Sequence, residues 1–193
     1  MFIGVSAGCL TKQRAVGGGV AKGATAQLVG YSTTGSYPTG VQTGDFIAYC
    51  THDINPISLP LGFSTVSTGT FNGTDNYAFG WRIAPSALSG SLLSGYANLI
   101  IALRGPAGIT GGSAAPDSAT WTSLAALTAG SNILALGYSS VTNATIGTGF
   151  TTQLAGTGLV LATKDVPEPS TGFTYTGFSN SGTAKICYSL GVK

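Results

Sequence analysis

His52 is the only histidine in the chain, and Asp53 follows it directly in "GDFIAYCTHDINPISLPLGFSTV". A histidine beside an acid invites general-base chemistry, which needs the imidazole within hydrogen-bond reach of a group to deprotonate. Adjacent side chains of an extended segment project to opposite faces, so His52 and Asp53 are not placed to form a dyad with each other. Asp, Asn and Pro56 in "THDINP" are turn residues, and the sequence places His52 in the turn that leaves a strand. No G-x-S-x-G elbow supplies a serine nucleophile. The acids are Asp45, Asp53, Asp75, Asp117, Asp165 and Glu168. Each falls at the edge of an apolar run or in a turn, and none makes the facing carboxyl pair that glycoside hydrolysis requires.

Metal and phosphate chemistry fare no better. One histidine and unclustered acids offer a transition metal few ligands. Calcium would have to rely on backbone carbonyls with Asp53 or Asp75, and in "FNGTDNY" the Asn-Gly pair is first a hairpin-turn signal. "GGGVAKGA" lacks the G-K-[ST] ending of a phosphate loop. No catalytic residue, metal or cofactor is expected, and the chain is not expected to be an enzyme.

Binding groups are easier to find. Trp81 and Trp121, with Tyr77, Tyr96, Tyr138, Tyr175 and Phe173, could stack on sugar rings where exposed. Tyr77, Phe79 and Trp81 share one face of a strand, which predicts packing; Trp121 follows the loop "GGSAAPDSAT" and is the better candidate for exposure. Lys12, Arg14 and Lys22 form the one basic cluster, broken by Gly17, Gly18 and Gly19. Nucleic-acid binders carry dense basic stripes, and three charges among glycines exclude that class. They suit a solvated loop or an arm that docks on an acidic partner.

These residues sit in an unusual background. Charged residues make up 7% of the chain and the net charge is +2, against about 25% charged in ordinary soluble domains. The polar surface must be hydroxyls, amides and backbone. Such a surface repels its neighbours weakly and costs little to desolvate, which suits permanent contact with copies of itself or with a larger assembly. Cys9, Cys50 and Cys187 are odd in number and lack C-x-x-C spacing. They imply buried free thiols and folding in a reducing cytoplasm. "MFIGVSAGCL" lacks the basic n-region of an export signal, and no apolar run reaches the length of a membrane helix, so neither export nor membrane insertion is expected.

The elements that position these groups read as strands. "GDFIAYC", "YAFGWRIA", "ANLIIALRG", "SNILALGYSS", "GLVLATKD" and "AKICYSLGV" are short apolar runs bounded by turn residues. "FSTVSTGTF" and "GFTYTGFS" alternate in the period of a strand with one wet face, and "ATAQLVGYSTT" is a further candidate. Helical signals are confined to "APSALSGSLLSG" and "WTSLAALTAG". "TKDVPEPSTG" reads as a solvated loop, since Pro167 and Pro169 cannot donate to a ladder. No fixed-period repeat is apparent, which excludes solenoids and propellers. The expectation is an all-β, antiparallel, jelly-roll-like sandwich with at most one or two short helices. A glycine-rich N-terminal arm would span residues 1–23 and a single sandwich domain residues 24–193.

The succession "TGDFIAYC", proline with "LGFSTVSTG", "NYAFGWRIA", "ANLIIALRGP", a tryptophan and "SNILALGYSS" resembles a β-sandwich module of tailed-bacteriophage structural proteins. The resemblance runs from Gly40 to Val192. It departs from the usual pattern at "LPLGFSTV", where Phe63 stands in place of the common tryptophan. It implies a virion component acting by contact, assembled in the host bacterial cytoplasm and displayed on the virion surface. A capsid decoration or cement protein is expected, with the major capsid protein or other virion proteins as partners and self-association as a homo-oligomer, a trimer by analogy. Lys12, Arg14 and Lys22 are then the candidate capsid-docking residues. The alternative is a tail or tail-fibre adhesion module that binds host surface glycan through Trp121, Asn72 and Tyr175.

Overall fold

The computed structural model describes residues 26–92, 97–118, 120–121, 124, 127, 131–139, 149–156, 158–166, 175–176 and 185–193. The first half of the chain supplies β1 (Gln27–Ser32), β2 (Phe46–Asp53), β3 (Ser64–Phe71), β4 (Asp75–Ile83) and β5 (Ala97–Arg104). They pair in the order β1-β5-β2-β4-β3. The second half supplies β6 (Ile109–Pro116), β7 (Thr120–Trp121), β8 (Ser131–Ser139), β9 (Thr151–Gly156), β10 (Leu159–Val166), β11 (Tyr175–Thr176) and β12 (Lys185–Val192). Of these, β6-β12-β8-β10-β9 form a second sheet, and β7 and β11 a two-stranded ribbon. Every pairing is antiparallel, and no described residue is helical. The fold is an all-β sandwich.

Its core follows from side-chain alternation. Phe46, Ala48 and Cys50 of β2, Tyr77 and Phe79 of β4, and Leu99, Ile101 and Leu103 of β5 face Leu134 and Leu136 of β8, Leu161 of β10, and Ile186, Tyr188 and Leu190 of β12. Tyr188 sits at the centre, its ring 5.0 Å from Phe79 and 6.0 Å from Tyr77. The outer faces are buried as well. Ile47, Tyr49, Ile100 and Ala102 lie beneath Val41, Leu59, Phe63 and Leu88 from the loops. On the other sheet Ile133 and Val166 pack with Leu124 and Leu127. Sheets buried on both faces produce continuous apolar runs rather than alternating ones, and this is why the core strands were readable as "FIAYC", "NLIIAL" and "NILAL".

The two sheets share one connectivity. Taken in chain order, the five strands of each are hydrogen-bonded first-fifth-second-fourth-third. The details repeat too. Gly62-Phe63-Ser64-Thr65 leads into β3 and Gly149-Phe150-Thr151-Thr152 into β9, and both glycines have positive φ, 88° and 83°. Arg82 of β4 lies over the Phe63 ring at 5.4 Å, as Lys164 of β10 lies over the Phe150 ring at 5.4 Å. Each third strand bulges two residues on, at Val66 and at Gln153. Each first strand bulges near its start, at Val29 and at Thr110. The molecule is built from two copies of a five-stranded unit, although the sequence shows no fixed period.

Several expectations are corrected. "GGSAAP" is strand β6, not loop: a side chain at Gly112 would meet Val66 Cγ1 at 2.6 Å and Leu190 Cδ1 at 2.9 Å, so glycine lets β3 and β12 close against it. Lys164, Asp165 and Val166 continue β10 rather than starting a loop. "APSALSGSLLSG" is irregular where described, Ser91 bridging to Ser36. Gly44 and Asp45 precede β2; Asp45 is buried and ion-paired to Arg104 through Nε at 3.0 Å.

Candidate functional site

His52 lies inside β2, opposite Tyr77 and Ala97, and not in the exit turn. The period of two that puts Phe46, Ala48 and Cys50 inside puts His52 inside with them. Its ring is 3.9 Å from Tyr138 of the opposite sheet and 5.6 Å from Phe71. Nε2 is buried without a hydrogen-bond partner. Burial pushes the imidazole pKa below its ordinary value, and the charges of Asp75 and Asp53 only partly oppose it. Asp53 turns instead to Asn55, accepting from its backbone N–H at 2.9 Å and its side-chain amide at 3.0 Å. The neighbouring Cys50 thiol is pushed up to about 12 by burial. The void beside them, about 10 Å³, barely holds one water. The arrangement packs two sheets together and has no base–nucleophile geometry.

Lys12, Arg14 and Lys22 lie outside the described residues. Two of the three alternative binding residues share the β7–β11 ribbon, and the third is tied to the segment that leads into it. Tyr175 stands directly opposite Trp121 in the β7–β11 ladder. Asn72 and Gly73 form the β3–β4 turn with φ of 51° and 73°, the double positive-φ turn that Asn-Gly signals. The Asn72 N–H donates to Asp117 Oδ1 at 2.6 Å. Asp117 directly follows β6, whose chain continues into β7, so the hairpin turn is tied to the segment leading into the ribbon. Asp117, read as an ordinary turn acid, is the connecting residue that sequence reasoning missed.

A second surface was not anticipated. Between β2 and β3 the chain exposes Ile54 (63%) and Leu61 (98%), yet the loop is firmly held. Leu59 occupies the space over Gly80, and a Cβ there would lie 2.5 Å from Leu59 Cδ1. Phe63 packs on Tyr49 with ring centroids 5.8 Å apart. Arg82 spans the turn, stacking on Phe63 and donating through Nη1 to the Leu61 carbonyl at 3.4 Å. The Phe63 N–H donates to the Pro60 carbonyl at 3.2 Å. Leu61 is therefore presented to solvent by a pinned turn.

Among the described residues no group of His, Cys, Asp and Glu could hold a metal ion, and no helix is long and apolar enough to cross a membrane. Comparison with protein-family models, with curated proteins and with solved structures finds no match to this chain.

Proposed function

We propose that this protein is a structural component of a bacteriophage virion, a decoration or cement protein that stabilises the head by contact with the major capsid protein. The observation that carries the reading is Leu61, fully exposed at the tip of a turn fixed by Leu59, Phe63 and Arg82. A residue whose backbone is already fixed loses little backbone freedom when covered, so the burial of its apolar side chain is available to the contact. The charge-poor composition supports the same role, because hydroxyls and amides cost less to desolvate than charges do. Residues 1–23, with Lys12, Arg14 and Lys22, are the proposed docking arm, and a homotrimer is the proposed assembly. The test is attachment to capsids lacking the protein. Removing the residues before Ala24, or substituting Leu61→Asp, should abolish or strongly weaken attachment while the sandwich stays folded. Unimpaired attachment by both variants would end the proposal.

The ladder that sets Tyr175 opposite Trp121, with Asn72 tethered nearby through Asp117, favours a second reading. On it the protein is a tail or tail-fibre adhesion module for host surface glycan. A glycan array separates the two, with signal lost in Trp121→Ala supporting adhesion through this end.

A further inference from the structure

The two copies of the five-stranded unit differ sharply at one equivalent place. The first strand of each copy lies near the third strand of the other, which gives the sandwich two comparable long sides. On one side β3 meets β6, and Val66 at the β3 bulge covers Gly112. There Phe46 stacks on Trp81, ring centroids 5.5 Å apart and planes 12° apart, and Val66, Ile83 and Ile109 complete an apolar plug.

The ladders identify the same positions on the other side. Ser64 pairs with Trp81 as Thr151 pairs with Thr163, and Phe46 pairs with Ile83 as Asn132 pairs with Asp165. Phe46, Trp81, Ile83 and Val66 of one copy thus become Asn132, Thr163, Asp165 and Gln153 of the other. All four apolar residues are replaced by polar ones, and two flat rings are gone. In their place is a cavity of about 130 Å³ between β1 and β9, walled on the opposite sheet by Leu28 and Leu103.

The polar wall is organised. With its amide assigned the orientation that satisfies both neighbours, the almost fully buried Asn132 side chain donates to Asp165 Oδ1 and accepts the Ala26 N–H at 3.1 Å. Gln153 Nε2 donates to Thr163 Oγ1 at 3.3 Å. Thr163, Gln153 and Asp165 line the cavity, and beyond these bonds they retain one hydroxyl proton as donor and several oxygens as acceptors. Among the described residues no Lys, Arg or His lines it; Lys164 is turned to the other face of the sheet, over Phe150.

We infer that this cleft is a binding site for one uncharged polyhydroxylated six-membered ring, a neutral pyranose. The volume holds several waters or one small ring. Leu28 and Leu103 offer an apolar face for the ring's C–H groups, and hydroxyls reach Asp165, Gln153 and Thr163. An acidic sugar would meet the Asp165 carboxylate, with no cation among the described lining residues to offset it. The site is separate from the Trp121–Tyr175 ribbon and independent of the role proposed for Leu61.

The test is amide-resolved NMR titration of the whole protein with glucose, galactose, mannose, rhamnose, N-acetylglucosamine and glucuronate, each neutral sugar run beside its methyl glycoside. At least one neutral pyranose should give saturable shifts on β1, β8, β9 and β10, with the millimolar affinity expected for a single ring. The methyl glycosides tell a chain terminus from a free sugar. Asp165→Asn should weaken binding at least tenfold, and Thr163→Trp, which restores the ring found in the other copy, should abolish it. Asp165→Asn alone keeps the test open if Thr163→Trp does not fold. No saturable shift with any neutral sugar, shifts confined to β7 and β11, equal binding of glucuronate, or full binding by Asp165→Asn would each overturn the inference.

Discussion

Gly80→Ala is the sharpest probe of how the outer loop is held. Gly80 lies on the outer face of β4, paired with Tyr49 on one side and Thr65 on the other. An added Cβ would lie 2.7 Å from the Ser64 carbonyl oxygen and 2.5 Å from Leu59 Cδ1. The carbonyl belongs to the β3–β4 ladder and yields little, so Leu59 must leave. Overpacking of this kind costs about 1–3 kcal/mol. Displacing Leu59, which is only half buried, adds about 1 kcal/mol, half the value for a fully buried leucine. Relief of glycine's backbone entropy returns roughly 0.5 kcal/mol. The expected net loss is about 2.5 kcal/mol, read as a lower urea midpoint at unchanged slope. Leu59→Ala alone should cost about 1 kcal/mol, and the double variant should fall short of the sum because the Leu59 part of the clash is already gone. The Phe63 amide, bonded to the Pro60 carbonyl, should lose hydrogen-exchange protection in Gly80→Ala. A variant within about 0.5 kcal/mol of wild type, or strict additivity with protection unchanged, would refute the pinned-loop geometry.

Three further outcomes follow from the same packing. Because burial lowers the His52 pKa in the folded state, the unfolded chain binds more protons below its own value of 6.5. Stability is therefore full above that pH and falls as pH drops from 6.5 through the lowered folded value; thermal melts of wild type should show this slope and His52→Phe should not. The Asp45 contribution has the same sign, since the Arg104 hydrogen bond holds its carboxyl below 3.8, and it is lost as pH falls from 3.8 through that lowered value. Phe79→Ala, at a fully buried ring against Tyr188, should cost about 3–5 kcal/mol in urea unfolding, whereas Leu61→Ala should stay within about 0.5 kcal/mol. In a Cys9→Ser background, Cys50 and Cys187 should resist Ellman's reagent at pH 8 until the protein is unfolded, since burial raises both thiols.

What the sequence discloses and what it conceals have physical reasons. Strands buried on both faces, such as β2, β5 and β8, are short apolar runs, and those runs identified them. The Asn72-Gly73 turn was equally legible, because few residue pairs accept two positive φ values. β6 was missed because its glycines make room for Val66 and Leu190 rather than contributing side chains of their own. His52 was misplaced because "THDINP" carries turn chemistry that begins only after Asp53, one residue beyond it. Which sheet a strand joins is set by long-range pairing that no local pattern records. The repeated connectivity is hidden by loops of unequal length in the two units; the local likeness visible in the sequence is Gly62-Phe63-Ser64-Thr65 against Gly149-Phe150-Thr151-Thr152. The cleft was illegible for a related reason. Asp165 reads as an edge or loop acid and Asn132 and Thr163 lie in runs read as strands, and only the ladder shows that with Gln153 they stand where the other copy has Ile83, Phe46, Trp81 and Val66.

The central claim, that the protein works by contact within a virion, is tested most directly by immunogold labelling of intact virions with antibody raised against the purified chain. The account predicts label distributed over the head, and loss of that label in particles assembled with Leu61→Asp. Virions without label would contradict the claim outright, and label confined to the tail would contradict head decoration and favour the adhesion reading.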